Sequence, residues 1–193
     1  MTGQAPGETL RPLPLLMRPA LRAVFIGYNP GIESARRGHY YAFPGNVFWK
    51  QLKESGLVSR PVGPEDDRLL MDEAGIGFTD LCRRPSVRAG ELTEAEIAEG
   101  ALRLRAELAE FAPRVAVFSG KGIFAHYERH ALGRRPAASN TVLYGQQHGA
   151  WPVPGSTATA AWVIPSSSGL ASRWHRDRLA ILRNLAAELR REG

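Results

Sequence analysis

The chain has 193 residues, 25 Lys+Arg against 19 Asp+Glu and a net charge of +6, a length that suits one domain with a real core. Its single cysteine, Cys82, excludes a disulfide framework, a cysteine-based zinc site and an iron–sulfur cluster. No apolar run approaches the ~20 residues of a membrane span, and Met1–Leu10 lacks the apolar core of a secretory signal. The expectation is a soluble, cytoplasmic, monomeric protein, and its basic balance favours a polyanionic partner. The charge is unevenly placed: Ser34–Lys53 and Arg134–Arg176 contain no acid, whereas Glu91–Glu110 holds six. Such an acidic run reads as the solvated face of a helix.

In chain order, residues 1–19 carry Pro6, Pro12, Pro14 and Pro19 and read as an irregular arm, with residues 20–193 as one domain. Arg22–Tyr28 is a short apolar run emptying into Asn29-Pro30-Gly31, the pattern of a buried strand and its turn. A helix is expected from about Asn46 to Gly56, and a second after Pro64 with Leu69, Leu70 and Ala74 apolar. Gly75–Leu81 reads as a strand. Thr93 and Glu96 have capping-box spacing at the head of a helix running to Phe111, with Ile97, Leu104 and Leu108 inward. Arg114–Ser119 is the clearest strand, followed by a helix to Ala131. Weaker strands fall near Thr141–Tyr144 and Ala161–Ile164, and Trp174–Arg190 is an amphipathic helix striped by Leu179, Leu182, Leu185 and Leu189. Alternating strands and helices predict an α/β fold with a mainly parallel sheet covered on both faces.

Sites in such sheets form in loops beyond the carboxyl ends of the strands. Three loops qualify: those after Tyr28, Leu81 and Ile164. In the first, Pro30-Gly31 pins Asn29, whose carboxamide can orient a water or a polar ligand; an Asx turn before proline uses the same residue. Tyr40, Tyr41 and Phe43 in the segment after Ile32–Ala35 are either core aromatics or stacking platforms for bases. The second loop places Asp80 beside Arg83, Arg84 and Arg88, as an ion pair or as a general base. The third, Pro165–Trp174, offers serine hydroxyls and N–H donors suited to phosphates. There Leu170, alone among small residues, has the character of a base-step wedge, and a flexible serine-rich turn is the plainer alternative.

Two other patterns fail. Ser119-Gly-Lys-Gly122 lacks the first glycine and the hydroxyl residue of a phosphate loop. The five histidines show no metal-site spacing with carboxylates; His126 and His130 stand four apart, but Glu128 between them is misplaced for HExxH.

Gly27-Tyr-Asn-Pro-Gly31 with Ser34-Ala35 and Ala42–Lys50, Gly77–Leu81 with Arg84-Pro85, and Ile164–Leu170 with Ser172-Arg173 resemble, in order, the motifs of the mismatch-specific uracil-DNA glycosylases. That resemblance implies a three-layer α/β/α sandwich and excision of uracil from double-stranded DNA in base excision repair, with U·G mismatches favoured. It implies no metal or redox cofactor. Asn29 would position the water that attacks C1′, with Asp80 a possible supplementary base. Tyr41 would stack on the flipped uracil, beside Gly27, Tyr28, Ser34 and Ser166. Leu170 would fill the vacated stack, with Lys50, Ser168, Gly169, Ala171, Ser172 and Arg173 on the DNA. The sequence departs from the pattern at Tyr41, where a phenylalanine is expected, at Tyr28, at the extra Ala171, and at Asp80, where a lysine is expected. With no lysine at the matched positions, hydrolysis without strand cleavage is expected. A nucleoid-associated location follows from such a substrate. A non-catalytic damage- or single-strand-binding module on the same fold is the alternative.

Overall fold

The structure, a computed structural model, describes residues 10–134, 142–148, 152–167 and 174–191. Strands β1 (Ala23–Gly27), β2 (Ile76–Asp80), β3 (Val115–Phe118), β4 (Gly145–Gln146) and β5 (Ala160–Val163) form one sheet in the order β2-β1-β3-β5-β4. All pairings are parallel except β4 with β5.

Because successive side chains of a strand point to opposite faces, β1 divides its residues between two cores. Ala23 and Phe25 join Phe78, Val117 and Trp162 on one face, covered by α2 (Phe48–Ser55) through Phe48 and Leu52 and by α6 (His175–Arg191) through Leu182, Leu185 and Leu189. Val24 and Ile26 join Ala116, Phe118 and Val163 on the other, covered by α4 (Glu94–Phe111) through Ile97, Leu104 and Leu108 and by α5 (Lys121–Leu132) through Ile123, Phe124 and Tyr127. The result is a three-layer α/β/α sandwich, as the alternation of the sequence predicts.

The capping box at the head of α4 is present. Thr93 Oγ1 accepts from the Glu96 N–H at 3.3 Å and the Glu96 carboxylate accepts from the Thr93 N–H at 2.8 Å.

Four expectations change. Ile32–Arg37 is not loop but a short helix, α1, secured by a Glu33–Arg37 pair at 2.8 Å one turn apart. The helix expected after Pro64 is reduced to a 3₁₀ turn, Pro64–Asp66, and a single turn, α3 (Leu70–Glu73), leaving Leu69 exposed. Its acids are used elsewhere: Asp66 accepts from the Gly63 N–H and binds Arg60, while fully buried Asp67 accepts from the Tyr40 N–H. The weak strand near Thr141–Tyr144 is instead β4, shifted to Gly145–Gln146. Glu107 is not a solvated helix charge. It is buried, accepting from Arg83 at 2.7 Å, Arg103 at 3.1 Å and Thr79 Oγ1 at 3.2 Å.

The described part of the N-terminal segment lacks a helix or a strand of its own, yet Leu13, Leu16 and Met17 are buried. Leu16 pairs antiparallel with Phe78 through two backbone hydrogen bonds of 3.1 and 2.8 Å.

Helix α4 crosses the end of β2 so closely that a Cβ on Gly100 would lie 2.0 Å from the Leu81 carbonyl oxygen. Glycine inside a helix ordinarily costs up to ~1 kcal/mol relative to alanine. Here the sign reverses: Gly100→Ala is expected to destabilise by about 2 kcal/mol, the scale of an overpacked core. Denaturant unfolding measures it, and a midpoint unchanged or raised would contradict the close approach.

Candidate active site

Strand β1 leads to β2 on one side, while β3 leads to β5 on the other, so loops leave the adjacent carboxyl ends of β1 and β3 in opposite directions. A crevice opens there, as it does in doubly wound sheets. It holds a cavity of about 230 Å³ whose wall includes Gly27, Tyr28, Asn29, Ser34, Tyr41, Asp80, Ser119 and Ser166. Every residue the sequence assigns to catalysis or to the base pocket therefore meets in one place.

Asn29 is clamped. The loops after β1 and β2 continue the strand pairing: Leu81 and Cys82 donate their N–H groups to the Gly27 and Tyr28 carbonyls, and Ser86 donates to Pro30. Across that seam Asn29 Nδ2 donates to the Arg84 carbonyl at 3.0 Å and to Ser86 Oγ at 2.8 Å, and Ser86 passes its own hydroxyl proton to the Arg88 carbonyl at 2.8 Å. A carbonyl can only accept, so the amide nitrogen must face this seam. That turns Oδ1 away from the seam, as an acceptor for a ligand.

Asp80 lies opposite Gly27 in the β1–β2 register. A Cβ at position 27 would sit 2.2 Å from Asp80 Oδ1, so only glycine leaves room for the carboxylate. Burial pushes the Asp80 carboxyl up to about 7, against the partial pull of Arg103 and Arg83. Those two arginines spend their charge on Glu107, and Arg103 also donates to the Asp80 and Leu81 backbone carbonyls. Of the three arginines expected beside Asp80, Arg83 acts on its carboxyl, after the larger pull of Arg103. Arg84 instead pairs with Glu96 at the surface.

Tyr41 is held in a left-handed backbone conformation, φ 51°, which is uncommon for a bulky residue. Both ends of the residue are tied: its carbonyl accepts from Trp49 Nε1 at 3.3 Å and its hydroxyl shares a 3.0 Å hydrogen bond with Ser119 Oγ. One ring face lies on Phe48, centroids 3.9 Å apart and 16° from parallel. Of the other aromatics, Tyr40 is core, with its hydroxyl bonded to the Pro14 carbonyl at 2.9 Å, and Phe43 is exposed on the rim. Buried Ser34 accepts from the Ala42 N–H at 3.1 Å, which fixes the turn leading into Tyr41.

The family comparison agrees with this geometry: residues 15–190 match the model of the uracil DNA glycosylase superfamily. The chain belongs to that superfamily. Members of the uracil-DNA glycosylase superfamily are typically DNA glycosylases, hydrolases that act on DNA, and the α/β sandwich described above is their fold.

Ser119 and the Ser86 anchor of Asn29 escape sequence reasoning. Ser119 stands one residue beyond β3, so the carboxyl-end criterion would have found it had its neighbourhood not been judged only as a failed phosphate loop. Fully buried Arg178 on α6 is likewise missed. It donates Nε to Gln51 Oε1 at 2.6 Å and Nη1 to the Ser166 carbonyl, joining α2 to the loop after β5. Lys50 is not in the pocket; it lies exposed on α2, 3.6 Å from Glu54. Ser168, Gly169, Leu170, Ala171, Ser172 and Arg173 lie outside the described residues.

Proposed function

We propose that this protein is a monofunctional DNA glycosylase of the mismatch-specific type, hydrolysing the N-glycosidic bond of uracil flipped out of a U·G pair. The observation that carries the reading is the shared pocket of Asn29 and Asp80, one amide with a free acceptor and one buried carboxylate. A base in the duplex is out of reach, and a mismatched base is the cheapest to extrude. The cavity has room for a single nucleobase, and the face of Tyr41 turned away from Phe48 offers it a stacking surface.

Cleavage builds an oxocarbenium-like sugar and an anionic leaving base. Asn29 is too weak a base to take a full proton, but Oδ1 can hold the water's hydrogen and so aim its oxygen at C1′. Asp80, when ionised, accepts the proton and stabilises positive charge on the sugar. Backbone N–H groups at the Tyr28–Asn29 turn stabilise the departing uracil anion. No lysine stands in the motif positions to form a covalent amine adduct, so the product is an abasic site in an intact strand.

Single-turnover excision from labelled U·G, U·A, T·G and single-stranded uracil substrates tests this, with U·G expected to be the fastest. Binding to the U·G duplex with no excision from any of them would overturn it in favour of a non-catalytic binding module. Leu170, by its motif position, fills the vacated stack. Leu170→Ala is therefore expected to slow excision from duplex by about tenfold, an unstacking cost of a few kcal/mol being only partly lost, and to leave single-stranded substrate nearly unchanged. Equal losses on both would remove the wedge role.

A further inference from the structure

The spacing of the histidines along the chain places no carboxylate with His126 and His130, but the fold supplies one. The two histidines stand one turn apart on α5, with ring planes 12° from parallel and centroids 6.1 Å apart. Glu94, the first residue of α4, lies over them, and one ligand atom from each of the three falls within 4.8 Å of the others.

The contact between Glu94 and His130 is poorly satisfied as it stands. Nε2 of His130 is buried and lies 3.0 Å from Glu94 Oε1, yet without hydrogen-bond geometry. A cation held between this nitrogen and the carboxylate would satisfy both. Arg129 supplies only a distant one, its Nη1 3.6 Å from the same Oε1 and its side chain half-exposed.

We propose that Glu94, His126 and His130 bind a divalent transition-metal ion of the zinc class. Two imidazoles and one carboxylate are a recognised zinc donor set that leaves a fourth position for water. Tetrahedral ligation needs donor atoms roughly 3.3–3.5 Å apart, from metal–ligand distances of ~2.0–2.1 Å. The exposed Glu94 side chain can close that gap by changing rotamer, with Arg129 swinging into solvent. The site stands apart from the excision chemistry. It does abut the pocket, since the His126 ring packs edge-on to Tyr28 at 5.8 Å and Tyr28 lines the cavity wall.

The test uses the full chain and the metal alone. Titration with Co²⁺, followed by its visible ligand-field bands, is expected to saturate at one equivalent, and Zn²⁺ is expected to displace it. Glu94→Gln, at an exposed position that leaves the core untouched, and His126→Gln are each expected to weaken Co²⁺ binding by about tenfold or more, at least the effect of losing an outer-shell partner. Arg129→Gln, which removes the competing cation, is expected to bind as tightly as wild type or more so. Absence of saturable one-to-one binding in the wild type would overturn the proposal. So would wild-type affinity in both Glu94→Gln and His126→Gln, because the ion would then be held by other histidines.

Discussion

Asn29→Ala is expected to slow single-turnover excision of uracil from a U·G duplex by about 100-fold or more, the scale of losing the orientation of a reactant. The size of the effect follows from the clamp. The amide nitrogen is committed to the Arg84 carbonyl and Ser86 Oγ, so in the proposed mechanism the water would meet Oδ1 in one orientation. Alanine removes that acceptor and leaves the seam between the two loops to Ser86 and the backbone. The loss is expected in the chemical step and not in duplex affinity, because Asn29 lines the cavity proposed to hold the flipped base. Measuring the excision rate and the dissociation constant on the same duplex separates the two. A rate within threefold of wild type would remove Asn29 from the centre of the mechanism.

Asp80→Asn is expected to lower activity by about tenfold or more and at the same time to stabilise the fold at alkaline pH. With its carboxyl pushed up to about 7 by burial, Asp80 can serve as the proposed proton acceptor only when ionised. Wild-type excision should therefore rise with pH through about 7 and level off above it, and the variant should lack that rise. The stability effect has the opposite sense. Below about pH 4 the folded and unfolded chains both hold the proton, and Asp80 contributes nothing. Between about 4 and 7 the unfolded chain releases a proton that the folded chain keeps, so folding stability falls steadily as pH rises. Above 7 the full cost persists, at most about 4 kcal/mol for a shift of this size. Asparagine carries no such cost. Thermal unfolding of both proteins at pH 5 and pH 8 should show the stability difference moving in the variant's favour at the higher pH. A difference independent of pH would mean that Asp80 is not a carboxylate strained by burial. Active-site groups held against the stability of the fold are a common origin of this trade-off.

Much of the architecture was legible because its signals are local. Apolar runs punctuated by Gly and Pro marked β1, β2, β3 and β5, and the Thr93–Glu96 box marked the start of α4 within one residue. The failures came from side-chain partners that hydrophobic periodicity does not show. Asp66 and Asp67 broke the helix expected after Pro64, because their side chains had partners outside it in Arg60 and Tyr40. Ile32–Ala35 was grouped with the loop after β1, yet it opens a short helix in which Glu33 and Arg37 pair one turn apart.

For the site, the carboxyl-end rule for parallel sheets nominated Asn29, Asp80 and the serine-rich loop after β5, while the motif resemblance added Ser34, Tyr41 and Ser166. By itself the sequence determined the three-layer fold, the strand ends that carry chemistry and the superfamily motifs. Tertiary structure alone decided which way Asn29 faces, how little cationic help reaches Asp80 once Glu107 has taken Arg83 and Arg103, and that Glu94 meets His126 and His130. The physical reason is range. Periodicity and capping depend on neighbours within a few residues, whereas orientation, burial and the sharing of charge are set by partners that only the folded chain brings into contact.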